Sequence, residues 1–267
     1  MPPLPQGAAP PIRHRKNVGQ LSTRQFRWLR QGYKALMGIS DNRGYQYHAG
    51  VHGLPLQFCQ HHNPPGSYSL FLPWHRAYLY VFERAMRDQV PEAMVPWWNW
   101  TSPASRTRGI PAAFAQRTVG GQPNPLFQAP VPPIARIAGR PRRTTRQPGS
   151  PGELPTPQLI DQILSLGDFR DFSEQLEDVH DGIHGWVGGT MGIIAWAAYD
   201  PIFWSHHAMI DRLWAIWQVR HAAVTLPTAF LNQALPPFPL TVGETLSTQA
   251  LGYDYAAATT HVGGPQP

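Results

Sequence analysis

His180 and His184 lie four residues apart in the segment HDGIHGWV. On a helix that spacing puts two imidazoles on one face about a turn apart, offering two nitrogen donors to one metal ion. Such a pair by itself more often caps a helix or faces water. Here Trp186 and the turn Val187-Gly188-Gly189 follow at once and point to a buried setting. His206 and His207 stand among Phe203, Trp204, Ile210, Leu213 and Trp214. Adjacent helical residues point about 100° apart, so one of that pair faces a given site. His75 follows Phe71, Pro73 and Trp74, and His52, His61 and His62 sit upstream in a turn-rich segment. Cys59 is the single cysteine, which excludes an intramolecular disulfide and a cysteine-based zinc site. The donors are therefore imidazoles, which copper, zinc, iron and nickel all accept.

The elements that must hold these rings read as helices. Leu21, Phe26, Leu29, Tyr33 and Leu36 fall at helical spacing between Ser22 or Thr23 as N-cap and Gly38 as stop. A second helix is predicted over about Asn42–Val51, and a third opens at Pro73 and runs to Pro91. Proline, glycine and arginine dominate from Pro96 to Gln158, which predicts a long and at most lightly structured loop excursion. Helical spacing returns over FRDFSEQLEDVHDGIHGWV, ending at Gly188-Gly189, and again over PIFWSHHAMIDRLWAIWQVRH. Beyond Leu226 the chain is Pro-rich with short β-prone pieces. The fold class predicted is mainly α, a four-helix bundle with inward polar residues around a cofactor site, long Pro/Gly-rich loops and a few short strands.

At 267 residues the chain suits one compact domain with ample core, here 1–267, with a centre over about 15–255 between Pro-rich and Gly/Pro-rich tails. Charged residues make up 14% against about 25% in an average soluble protein, which excludes a highly charged disordered chain. No apolar run nears the roughly 20 residues that span a bilayer. The opening MPPLPQGAAPPIRHRKN lacks the apolar core of a secretory signal, so the chain is expected to be cytoplasmic or exported with a partner. The net charge of +6 is densest over Arg136–Arg146. Without interleaved aromatics that stretch reads as a solvated loop, and neither nucleic acid nor membrane is expected as a partner.

FLPWHRAYLYVFERAM (71–86), HDGIHGWVGGTM (180–191) and DPIFWSHHAMIDRLWAIWQ (200–218) resemble the tyrosinase family of type 3, coupled dinuclear copper proteins. The resemblance runs from about Arg15 to Tyr255, with both copper motifs in order across a long spacer. It implies two copper ions. One is held by His52, His61 and His75, the other by His180, His184 and His207. Tyr45 and the run HGLP mark His52, and the Cys-x-His pattern before FLPWHR marks His61, with His62 as the competing choice because the spacing to His75 is longer than in many members. His206 becomes a neighbour at the substrate entrance. His48 and His62 are expected beside the ligands or facing solvent, and His14, His221 and His261 on the surface.

The implied chemistry uses O2 as co-substrate to oxidise o-diphenols, or o-aminophenols, to o-quinones, with hydroxylation of monophenols as a further step. A small phenol is the implied partner, with a copper-delivery helper protein as a second. Glu177 matches the family's acidic residue that holds a water to deprotonate a phenol. Asp181 stands where many phenol-hydroxylating members carry Asn, which disfavours monophenols. Gly185 leaves that side of the site open. Trp74, Trp186, Phe203 and Trp204 are expected as walls, and Asp211 as part of a structural network with Arg212. Some relatives cross-link a cysteine to a ligand histidine; a free thiol at Cys59 beside His61 is the favoured reading. Arg15 and Tyr253-Asp254-Tyr255 resemble the pair that ties the ends of the core by a cation–π contact. With only a short stretch after Tyr255, the C-terminal shielding domain of many relatives is not expected in this chain. The alternative is a hemocyanin-like oxygen carrier without turnover. A zinc hydrolase lacks its HExxH or cysteine partners here.

Overall fold

The protein is described by a computed structural model, which describes residues 12–61, 64, 66–136 and 142–255. His62, His261 and both chain ends lie outside the described residues. The chain is mainly helical. After strand β1 (Arg13–Arg15) come α1 (Thr23–Met37), α2 (Tyr45–His52), α3 (Phe71–Gln89), α4 (Pro103–Arg108) and α5 (Ala112–Ala115). A short antiparallel pair, β2 (Thr118–Val119) and β3 (Gln122–Pro123), precedes α6 (Pro157–Leu164), α7 (Phe169–Val187) and α8 (Pro201–Arg220). Then α9 (Thr228–Leu231), α10 (Val242–Thr245) and β4 (Tyr253–Tyr255) complete the order. No helix among the described residues is long and apolar enough to cross a membrane.

The long helices begin and end where local chemistry dictates. Ser22 and Gln25 form a capping box on α1, and Asp168 and Asp200 accept N–H bonds at the starts of α7 and α8. α7 stops at Gly188 (φ 64) and Gly189 (φ 58), where a Cβ would run into the backbone oxygens of Gln147 and Thr145 at 2.6 and 2.2 Å. α3 starts at Phe71, two residues before Pro73. The missing proline N–H falls in the first turn, where no intrahelical partner exists. It ends at Gln89 because Val90, preceding Pro91, takes an extended conformation.

The excursion from Pro96 to Gln158 is more ordered than expected. It contains α4, α5, β2, β3 and the start of α6, and it buries Trp97, Trp98, Trp100, Leu126 and Val131. α6 is missing from the sequence reading, although Thr156-Pro157 is followed by Ile160, Ile163 and Leu164 at helical spacing, all three buried. The arginine-rich loop is likewise only partly solvated. Arg146 is half-buried, pairs with Asp200 at 2.5–3.0 Å and donates to the carbonyls of Phe114 and Leu126. It thereby fastens the excursion to the start of α8.

The two ends of the described chain meet. β1 and β4 pair in parallel, with Arg13 opposite Tyr253 and Arg15 opposite Tyr255. Arg15 is fully buried, lies 3.7 Å over the Tyr253 ring, and bonds Glu83 of α3 (3.0 Å) and Asp211 of α8 (3.2 Å). Asp211 also accepts from Arg76 (2.5 Å), Tyr253 (2.6 Å) and Tyr255 (2.5 Å). The expected network at Asp211 therefore forms through Arg76 and Arg15, while Arg212 stacks on Trp97 at 4.1 Å. Burial pushes the Asp211 pKa up, but Arg76, Arg15 and the two tyrosine hydroxyls outweigh it and hold the carboxyl below its usual range. Asp211→Ala leaves the buried Arg76 guanidinium without a carboxylate and Arg15 with Glu83 alone, and should cost about 3–5 kcal/mol in urea unfolding. A cost below about 1 kcal/mol would show that the cluster is dispensable.

Candidate metal centre

Four helices deliver the histidines. α2 ends on His52, α3 carries His75 in its first turn and α7 carries His180 and His184. α8 carries His206 and His207. His61 comes from the segment between α2 and α3. Donor atoms of His52, Cys59, His61 and His75 lie within 4.8 Å of one another, as do those of His180, His184, His206 and His207. The two groups adjoin: the rings of His75 and His207 stack at 4.4 Å and those of His61 and His180 at 5.3 Å. The second group thus gathers four histidines, one more than expected. His206 is fully buried and stacks flat on His180 at 5.1 Å, which places it beneath the rings and away from the entrance.

The ring nitrogens are sorted by what each one bonds. Nδ1 of His75 donates to the Phe71 carbonyl and Nδ1 of His184 to that of Met191, both at 2.8 Å. Nδ1 of His61 donates to Glu177 Oε1 at 3.1 Å, and Nδ1 of His180 to Asp181 Oδ1 at 3.0 Å. Each donation fixes the tautomer that leaves an Nε2 lone pair for the centre. Two of these nitrogens, His180 and His184 Nε2, lie 3.2 and 3.3 Å from His207 Nε2. One ring proton cannot satisfy both neighbours. Two imidazole nitrogens bound tetrahedrally at about 2.0–2.1 Å, as on zinc, stand about 3.3 Å apart. Both ring nitrogens of His52 are buried without a hydrogen-bond partner. The donor set fits metal ions held by imidazoles alone.

Burial, followed by the crowding of neighbouring imidazoles, pushes the pKa of His52, His180 and His207 well below the usual histidine value. It lowers His184 to about 4. His75 and His206 shift the same way. All are neutral at pH 7, the form that binds metal. Burial also pushes the Cys59 thiol up, helped by Glu177 and Asp181. Cys59 is a free, half-buried thiol with Sγ 3.8 Å from His75 Nε2, so its near neighbours include His75 as well as His61.

Above the rings lies a cavity of about 250 Å³ lined by His52, His61, His180, His184, Asp181, Gly185 and the loop residues Met191, Gly192, Ile194 and Ala197. Ile194 is 61% exposed at its mouth. Asp181 lines this cavity, whereas Glu177 is buried behind His61. Phe203 packs on His207 (4.1 Å) and His52 (4.8 Å), and Trp74 on His75 (4.8 Å), as walls should. The other two expected walls lie elsewhere. Trp204 stacks on Phe82 at 3.5 Å, and Trp186 packs near Trp98 with its N–H on the Ser150 carbonyl. His48 is buried against Phe82 rather than facing solvent. His14 is exposed as expected, while His221 is half-buried and bonds the Leu164 carbonyl.

Two participants escaped the sequence reading. Phe71 packs on His75 and His180, both at 4.8 Å, and its carbonyl orients His75. Its place four residues before His75 was the available signal. Met191 orients His184 from a loop, and nothing in the sequence marks it.

Residues 42–220 match the family model described as the common central domain of tyrosinase. A G-type hemocyanin of Enteroctopus dofleini (units Oda to Odg) is 32% identical over 242 residues, 84% of this chain and 8% of its own length. A tyrosinase of Streptomyces lincolnensis is 32% identical over 197 residues, 63% of this chain and 72% of that protein. A functional unit of octopus hemocyanin superposes with a TM-score of 0.77 at 26% identity, covering 94% of this chain and 70% of that one. The Burkholderia thailandensis tyrosinase at high pH shares the fold with a TM-score of 0.76 at 22% identity, covering 93% and 74%. The chain spans 8% and 39% of the lengths of the two cephalopod hemocyanins first matched.

The buried neutral imidazoles predict the pH response of the metal-free protein. Their folded pKa values lie below the usual 6.5, so the unfolded chain binds protons that the folded one does not. Stability is complete above about pH 7 and falls as pH drops through 6.5 towards 4. The melting temperature should fall by about 10 °C or more between pH 7.5 and pH 5; a flat profile would show that the rings protonate without cost.

Proposed function

Because this chain belongs to the tyrosinase family of type 3 copper proteins, we propose that it is an O2-dependent oxidase of o-diphenols, and of o-aminophenols, to o-quinones. The observation that carries the reading is the open cavity lying directly on four imidazoles, with a carboxylate at its edge. Two copper ions would be held by His52, His61 and His75 and by His180, His184 and His207. When bound they supply a route for electrons from the phenolic substrate to O2. His206 supports His180 by stacking and leaves coordination to His207, whose Nε2 meets those of His180 and His184.

The chain's own residues then set which phenol is used. Glu177 and Asp181 hold the His61 and His180 rings through their Nδ1 protons. Asp181 also faces the cavity, with 44% of its side chain exposed. A catechol can donate its second hydroxyl, or an aminophenol its amine, to that carboxylate. A monophenol must enter as an anion, its ordinary pKa being about 10, and meets a like charge. Monophenol hydroxylation is therefore the slower activity.

Oxygen carriage without turnover is the second reading, favoured by the hemocyanin likeness. Initial rates on 4-methylcatechol and 4-methylphenol, measured on the copper-loaded protein, test the proposal. The catechol should react about tenfold faster or more, and Asp181→Asn, which keeps an acceptor for His180 but removes the charge, should narrow that ratio. Equal rates in the wild type would contradict the role of Asp181, and no quinone from either would favour the carrier. By metal analysis, His207→Ala should lose one copper ion and His206→Ala neither; the reverse pattern would show that His206 is the ligand.

A further inference from the structure

The outer face of α7 carries Gly182 and Gly185, one turn apart and both exposed. A Cβ at either position would meet nothing within 4 Å, so packing within the chain does not require glycine there. Glycine in a helix interior costs about 1 kcal/mol relative to alanine. Beside these two positions runs an open groove of about 570 Å³. Val179, Ile183 and Trp186 form its floor, and Leu154, Pro155 and Leu159 its far wall. Glu153 at its edge turns its carboxylate back onto the Ser150 N–H at 3.0 Å. Gly185 lines both this groove and the cavity over the histidines, so a molecule crosses from one to the other over a residue without a side chain. The cavity, at about 250 Å³, takes one aromatic ring with a short substituent. Sites for larger ligands usually run from about 300 to 1,000 Å³; the cavity alone falls short of that range and the adjoining groove, at about 570 Å³, lies within it.

We propose that the groove is a second substrate subsite, taking the apolar arm of an extended o-diphenol whose ring lies over the histidines. The inference rests on the oxidase reading above. An arm laid on Val179, Ile183 and Trp186 leaves water without approaching the reacting ring, so it lowers KM and leaves kcat unchanged.

N-acetyldopamine and N-octanoyldopamine share the reacting ring and differ only in the arm. With copper-loaded wild type, kcat/KM should be about tenfold higher for the octanoyl amide, through KM, given roughly 25 cal/mol per Å² of apolar surface buried. Gly182→Glu puts a charge in the groove while improving helix propensity, so the fold is kept. It should abolish the octanoyl advantage and leave N-acetyldopamine within about twofold, whereas Gly182→Ala should keep the advantage. Equal kcat/KM for the two amides in the wild type, or an equal fall for both in Gly182→Glu, would overturn the subsite. If neither amide yields quinone, the oxidase reading fails. Calorimetric titration of both amides into the protein then decides the groove: tighter octanoyl binding that Gly182→Glu removes supports it, and equal binding overturns it.

Discussion

The bond on which the centre depends is made by Asp211, a buried carboxylate held between Arg15 and Arg76. Arg76 directly follows His75 on α3, and Asp211 sits one turn beyond His207 on α8. Their contact sets the relative phase of two helices that each present a ring, and those rings stack at 4.4 Å. Burying such charges costs several kcal/mol per ion, so the cluster holds only because each member has several partners. Arg76 lies 3.7 Å over Trp214 and Arg15 the same distance over Tyr253, and Tyr253 and Tyr255 add their hydroxyls to Asp211. The β1–β4 pair thus brings both ends of the described chain to brace the helix interface beneath the site.

Once the helices are fixed, the rings must stay neutral and correctly rotated in a dry interior. Burial supplies neutrality. Rotation is set separately by the Phe71 and Met191 carbonyls and by the carboxylates of Glu177 and Asp181. The last two assignments link ring orientation to the charge at the cavity, since Asp181 belongs to both.

What was legible in the sequence is mostly local. α7 was read over Phe169–Val187 because Gly188-Gly189 stop it, and α8 from Pro201 because helical spacing runs through PIFWSHHAMIDRLWAIWQVRH. His52, His75, His180, His184 and His207 come together because motif and helix phase agree. The misreadings share a different cause. Trp186 and Trp204 follow or precede histidines in sequence, yet helix rotation turns them to other neighbours. Arg146 looked solvated because its partner, Asp200, is 54 residues away. His206 was expected at the substrate entrance because a single helix cannot show that α7 stacks a ring upon it. Long-range partners of this kind leave no periodic trace in a sequence.

The account stands most directly on the stoichiometry of the loaded protein. Metal analysis and an oxygen electrode, applied together to one preparation with excess catechol, should give two copper ions per chain and one O2 consumed for every two quinones formed, with two waters as the balance. A single metal ion per chain, or O2 taken up and released without quinone, would contradict it.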